Sequence, residues 1–144
     1  MQFIRVSDWE DRLRTYLDRV TEERFVWGSH DCALFTAGAV KAMTETDPAE
    51  AFRGTYDSEV TARESLRANG AGTLLKTVTS LFGAHKPIQF AQRGDLVMLD
   101  RKTLGVSVGV FSWFAGQEGD REGLVHLPTA ACKYAFSVPF EAAQ

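Results

Sequence analysis

Cys32 is the residue whose type and position most favour chemistry. It closes the stretch Trp27-Gly28-Ser29-His30-Asp31-Cys32 and opens a run that predicts a helix. A thiol in the first turn of a helix faces unpaired amide groups, which lower its pKa and make it a nucleophile. The competing role is that of a small buried hydrophobe, which is what most free cysteines are. A cysteine nucleophile also needs a base within hydrogen-bond reach, usually oriented by a third group. The chain offers three histidines. His30 precedes Cys32 by two residues, about 200° around a regular helix, and so is expected to point away. His85 stands beside Lys86-Pro87 in what reads as a solvated loop. His126 lies between Val125 and Leu127 on a late strand, facing either the cleft or water.

Other chemistries find less support. The two cysteines and three histidines do not fall at metal-ligand spacing, so no metal and no cofactor is expected. Gly70-Ala71-Gly72 lacks the lysine and the preceding strand of a phosphate loop. Acidic pairs such as Glu22-Glu23 belong to solvated surface. The net charge of −3 provides no basic footprint for nucleic acid and no polybasic membrane patch. No apolar run approaches the ~20 residues that span a bilayer, and the N-terminus lacks a leader pattern. Folding in a cytoplasm is therefore expected. Cys32 and Cys132 leave a single bridge open, without a disulfide framework.

The elements that must position Cys32 read as a helical first half and a β second half within one domain, 1–144, of the α+β class. Ser7 with Glu10 reads as a capping box for a helix over about 8–21, with Leu13, Leu17 and Val20 as its apolar stripe and Tyr16 beside it. Ser29 or Asp31 caps a second helix through about Met43. That helix is apolar or small nearly all round, which predicts burial at the domain centre. Asp47-Pro48 opens a short third helix. Ser58 starts a fourth that stops at Asn69-Gly70, and Thr73 to Phe82 forms a fifth ended by Gly83.

Strands follow. Leu96-Val97-Met98 is short. Leu104 to Phe114 reads as one long strand with Val106, Val108 and Val110 on one face and Gly105, Ser107 and Gly109 on the other. A glycine-rich face implies close packing by another element, so the Cys32 helix is expected on that small face. Residues 116–123 read as a charged hairpin tip, and Leu124 to Leu127 and Lys133 to Val138 complete a meander.

The order Asp31-Cys32, Gly94-Asp95-Leu96-Val97, Val108-Gly109-Val110-Phe111 and Leu124-Val125-His126 resembles the NlpC-type papain-like cysteine peptidases that cut bacterial cell-wall peptides. Phe25-x-Trp27-Gly28-x-x-Asp31-Cys32, with Asp47-Pro48 and Tyr56, resembles more specifically a phage-encoded branch of unassigned function found among tail-assembly genes. The resemblance covers about residues 25 to 138. It implies a papain-like fold, with the Cys32 helix buried against a small C-terminal antiparallel sheet. It places Cys32 at the nucleophile and His126 at the third, orienting position. Ser107 falls at the base position, where serine cannot take a thiol proton near neutral pH, and no histidine occurs between Gly94 and Gly123.

The resemblance thus implies a structural or assembly protein of a phage tail or tail tip with a degenerate site, leaning away from an enzyme. It would be made in the host cytoplasm and then carried in the virion, with other tail proteins as partners. The alternative is an active cell-wall peptidase or amidase using Cys32 and His126, with a peptidoglycan peptide as ligand. A generic binding domain with no papain relationship is the third reading. The aromatic run Phe111, Trp113 and Phe114 is the expected partner contact, since Trp and Phe are enriched at interface cores. Trp113 covering the helix–sheet groove of its own chain is the competing role.

Overall fold

The computed structural model describes residues 3–116 and 123–140. The charged tip expected over 116–123 lies, apart from its two end glycines, outside them. The element order is four helices followed by five strands.

Helix α1 (Trp9–Val20) buries Trp9, Leu13, Tyr16 and Val20 on one side. Its N-cap is Asp8, which makes no side-chain cap bond. The expected Ser7–Glu10 capping box does not form, and Asp8 pairs instead with Arg12. Helix α2 (Cys32–Thr44) is capped by Asp31, whose carboxylate accepts from the Leu34 amide at 2.9 Å. It packs against α1 where Gly38 leaves room for the Tyr16 ring, and Tyr16 donates to the Phe35 carbonyl at 2.7 Å. The third helix expected at Asp47-Pro48 is instead a run of turns over 48–54. Asp47 accepts from the Ala49 amide and pairs with Arg53, and Gly54 with φ 78° turns the chain out. Helices α3 (Glu59–Asn69) and α4 (Leu74–Phe82) start at capping Ser58 and Thr73.

The sheet is antiparallel, with strands β1 (Leu96–Met98), β2 (Leu104–Ser107), β3 (Phe111–Ala115), β4 (Leu124–Pro128) and β5 (Tyr134–Phe136) in the spatial order β4-β3-β2-β1-β5. The long strand expected over 104–114 is a hairpin. Gly109 takes φ 113°, and the Val108 amide donates to the Phe111 carbonyl, closing the turn between β2 and β3.

The face on which α2 packs is the reverse of the expectation. Leu96, Met98, Leu104 and Val106 share one core with Phe35, Ala39, Val40 and Met43 of α2. Gly105 and Ser107 alternate onto the other face. Gly105 is glycine because the Phe114 ring occupies the space of any side chain there. Phe114, Val97 and Cys132 form a second core on that face, closed by Ile88, Ala91 and Leu127. The small face therefore receives a ring from its own sheet. Both cysteines are free thiols; Cys132 belongs to the second core and Cys32 packs at the first, so the bridge left open by the sequence is not made.

The chain ends are tied at the edge of this core. Arg5 is 8% exposed and donates from Nε to the Val138 carbonyl at 2.7 Å and from Nη1 to the Arg93 carbonyl at 2.9 Å. Its guanidinium lies 4.3 Å from the Trp9 ring centroid.

Candidate functional site

The site is built around Asp31 rather than around the thiol next to it. Asp31 is 1% exposed. Its Oδ1 caps α2, and its Oδ2 accepts from the Gly28 amide at 3.0 Å and the Tyr56 hydroxyl at 2.6 Å. Gly28, at φ 83°, sits so close to the Tyr56 carbonyl that a Cβ would overlap it. Burial, followed by the bond to Asp31, drives the Tyr56 phenol well above its ordinary pKa. Gly28, Asp31 and Tyr56 thus fix the entry to α2.

Cys32 follows at the first position of α2 and is half-buried. Its thiol donates to the Lys102 carbonyl at 3.7 Å. Desolvation pushes its pKa up to about 11. The Leu104 and Ala33 amides pull the other way, and the charges of Asp31 and Asp100 add to the rise. The lowering expected from a helix start does not prevail: a few amide dipoles do not offset loss of water and two nearby carboxylates. At neutral pH the group is a thiol.

No histidine is placed to accept its proton. His30 lines a charged groove between α1 and α2, with Nδ1 3.2 Å from Glu23 and its ring against Phe35. Burial lowers its pKa, against the opposing pull of Glu23. His85 lies against Tyr134 and Phe136. His126 is exposed on β4, its ring 5.1 Å from Phe111 and 5.0 Å from Trp113 between centroids. It shares the α2-side face through the row Leu96, Val106, Trp113, His126. Two strand spacings, roughly 10 Å, separate it from β2, however. The His126 ring meets Phe111 and Trp113, while the Cys32 thiol meets the Lys102 carbonyl.

Ser107 is fully buried on the face away from α2. Its hydroxyl accepts from the Gly109 amide at 3.1 Å and donates to the Gly109 carbonyl at 3.2 Å, bracing the hairpin turn. The agreement expected between its family position and a place facing Cys32 fails. The groups beside the thiol are the Lys102 carbonyl of the β1–β2 turn and the Leu104 amide at the start of β2.

The aromatic run divides as well. Phe114 is 3% exposed and belongs to the second core, so it is removed from the contact surface. Trp113 is half-buried against the first core, and Phe111 is 45% exposed. Asp95, read only as part of a Gly-Asp strand start, proves to be buried and structural. Its Oδ2 accepts from the Gln92 amide at 2.8 Å and pairs with Lys86 at 2.7 Å. Among the described residues no group of histidine, cysteine, aspartate and glutamate is placed to hold a metal ion.

Cys32 also lines an open-sided cavity of ≈ 580 Å³ bordered by α2, α3, α4 and the start of β2. The sequence carried no sign of this volume, because the residues around it are ordinary helix-face leucines and alanines.

A buried helix laid on an antiparallel sheet gives the chain a papain-like α+β fold, the fold also seen in NlpC/p60 domains. A solved structure with this fold is the NlpC/p60 domain of the peptidoglycan hydrolase SagA, with a TM-score of 0.53 and 16% identity over 88% of this chain and 97% of that one. A looser likeness, with a TM-score of 0.46 and 13% identity over 94% of this chain and 69% of the other, is to the peptidoglycan hydrolase RipB from Mycobacterium tuberculosis. The chain belongs to the family described as a domain of unknown function (DUF6950), whose model matches residues 4–138. Comparison with curated protein sequences gave no match.

Proposed function

We propose that this chain is a non-catalytic structural protein of a phage tail or tail tip, built on an NlpC/p60-like fold. One observation carries the loss of chemistry: the group that the Cys32 thiol meets is a backbone carbonyl, and the three imidazoles are all engaged elsewhere. A thiol held up to about 11 and lacking a base is a poor nucleophile near neutral pH. The tail assignment rests on the resemblance carried by Phe25, Trp27, Gly28, Asp31, Cys32, Asp47, Pro48 and Tyr56. Several of these have architectural roles here: Gly28, Asp31 and Tyr56 brace the α2 entry, and Asp47 anchors the following turn. Its partners would be other tail proteins, met in the host cytoplasm and retained in the virion, through Phe111 and the accessible part of Trp113.

The fold likeness favours a second reading, an active cell-wall cysteine peptidase or amidase using Cys32 and His126. That reading requires His126 to leave Phe111 and Trp113 and approach the thiol. Digestion of purified peptidoglycan fragments separates the two. Turnover abolished by Cys32→Ala establishes the peptidase; absence of turnover, with co-purification of tail proteins, supports the structural role.

A further inference from the structure

The cavity beside Cys32 has a composition that the loss of catalysis does not explain. It is bounded by α2 on one side and by α3 and α4 on the other. Leu66, Leu74, Leu75, Leu81 and Phe82 turn toward it and are only half-buried. A helix pair closing on its neighbour would bury such side chains fully. The volume of ≈ 580 Å³ lies within the range of ligand sites, roughly 300–1,000 Å³, which are lined mainly by apolar groups with a few polar ones.

The charged residues at the cavity are unbalanced. Arg63 and Arg67 of α3, Lys76 of α4, and Arg101 and Lys102 of the β1–β2 turn line it and are exposed. Exposed acids among the lining residues are limited to Glu59, and Asp31 is already committed to its three donors. None of the five cations is in an ion pair among the described residues. This excess stands on a chain whose net charge is −3. An apolar interior edged by an excess of cations is complementary to a molecule with an apolar body and an anionic end.

We propose that this cavity binds a single-chain anionic amphiphile, a long-chain carboxylate. Its hydrocarbon chain lies between α2 and the α3–α4 pair, and its carboxylate is held among Arg63, Arg67, Arg101 and Lys102. The proposal is independent of whether Cys32 retains any chemistry, since it uses the cavity walls and the basic edge.

The test is calorimetric titration of the full chain with palmitate below its micelle concentration, with octanoate and methyl palmitate as comparisons. Palmitate is expected to bind saturably at one site. Methyl palmitate, with the charge removed, is expected to bind about tenfold or more weakly, the loss of a charge-assisted contact. Octanoate, with less chain to bury, is also expected to bind more weakly. Arg63→Glu with Arg67→Glu, both exposed and so compatible with folding, should weaken palmitate and leave methyl palmitate unchanged. Leu66→Trp should block both by filling the cavity, with circular dichroism confirming the fold. Absence of saturable palmitate binding, equal affinity for acid and methyl ester, or binding only to anionic vesicles would overturn the proposal.

Discussion

The Tyr56 hydroxyl donates to the Asp31 carboxylate at 2.6 Å, across 25 residues of chain. Through it the turn region after α2 is tied to the residue that starts α2. The same carboxylate holds the Leu34 and Gly28 amides, so one buried side chain caps the central helix, fixes the preceding turn and anchors the following segment.

Tyr56→Phe should therefore destabilise the fold, by about 1.5–3 kcal/mol for a hydrogen bond to a charged group. Asp31→Ala should cost more, because it also removes a helix cap worth about 0.5–2 kcal/mol. Urea denaturation of the two variants checks the order; a Tyr56→Phe variant as stable as the parent would refute this role for the bond.

The two strand-region glycines are required for different reasons. Gly105→Ala forces a methyl group into the Phe114 ring and should cost about 1–3 kcal/mol as overpacking does. Adding Phe114→Leu should recover part of that loss. Gly109 has open space around it but φ 113°, so Gly109→Ala is penalised by the backbone alone, by about 1–3 kcal/mol. Phe114→Leu should not relieve it. Thermal melts of the two double-mutant cycles separate the mechanisms.

These glycines also show where the sequence stops being informative. Caps are local chemistry, so Ser58 was legible and Asp31 was one of two candidates with Ser29, because a side chain bonds an amide three residues on. β1 and the α+β class were equally legible. Ser7 and Glu10 had the right spacing, but Asp8 took the N-cap and bonded Arg12, a choice that spacing does not settle. In Leu104 to Val110, a glycine signals either a close neighbour or a turn, and here Gly105 is the first and Gly109 the second. Alternation is unchanged when the two faces are exchanged, so only the tertiary position of Phe114 decides which face α2 covers. The Cys32 position was readable, but the groups that meet its thiol, the Lys102 carbonyl and the Leu104 amide, come from about 70 positions away.

Alkaline stability follows from the thiols. Cys32 and Cys132 are both raised from 9.0 to about 11 by burial, and Tyr16 from 10.0 to about 12. In the unfolded chain the thiols lose their protons near 9, while the folded chain keeps them to about 11. Between those values the folded state binds more protons, so unfolding free energy falls as pH rises. Below pH 8 these groups should contribute no pH dependence. Urea midpoints from pH 7 to 11 should decline from about pH 9, and Cys32→Ala with Cys132→Ala should flatten the early part of that decline.

The aromatic pair on β3 should respond unequally. Trp113 packs against the first core, so Trp113→Ala should lower the melting temperature, with a cost approaching the ~3–5 kcal/mol of a buried Trp. Phe111 is 45% exposed, and Phe111→Ser should stay within about 1 kcal/mol of the parent. If β3 meets a tail partner, Phe111→Ser should weaken co-purification of that partner while leaving the melt nearly unchanged.

Incubating the purified chain with peptidoglycan fragments at neutral pH, and measuring released peptides by mass spectrometry beside Cys32→Ala, decides whether Cys32 performs thiol catalysis. If the proposed structural role holds, both proteins give the same background release. Release by the parent that Cys32→Ala abolishes would overturn that role.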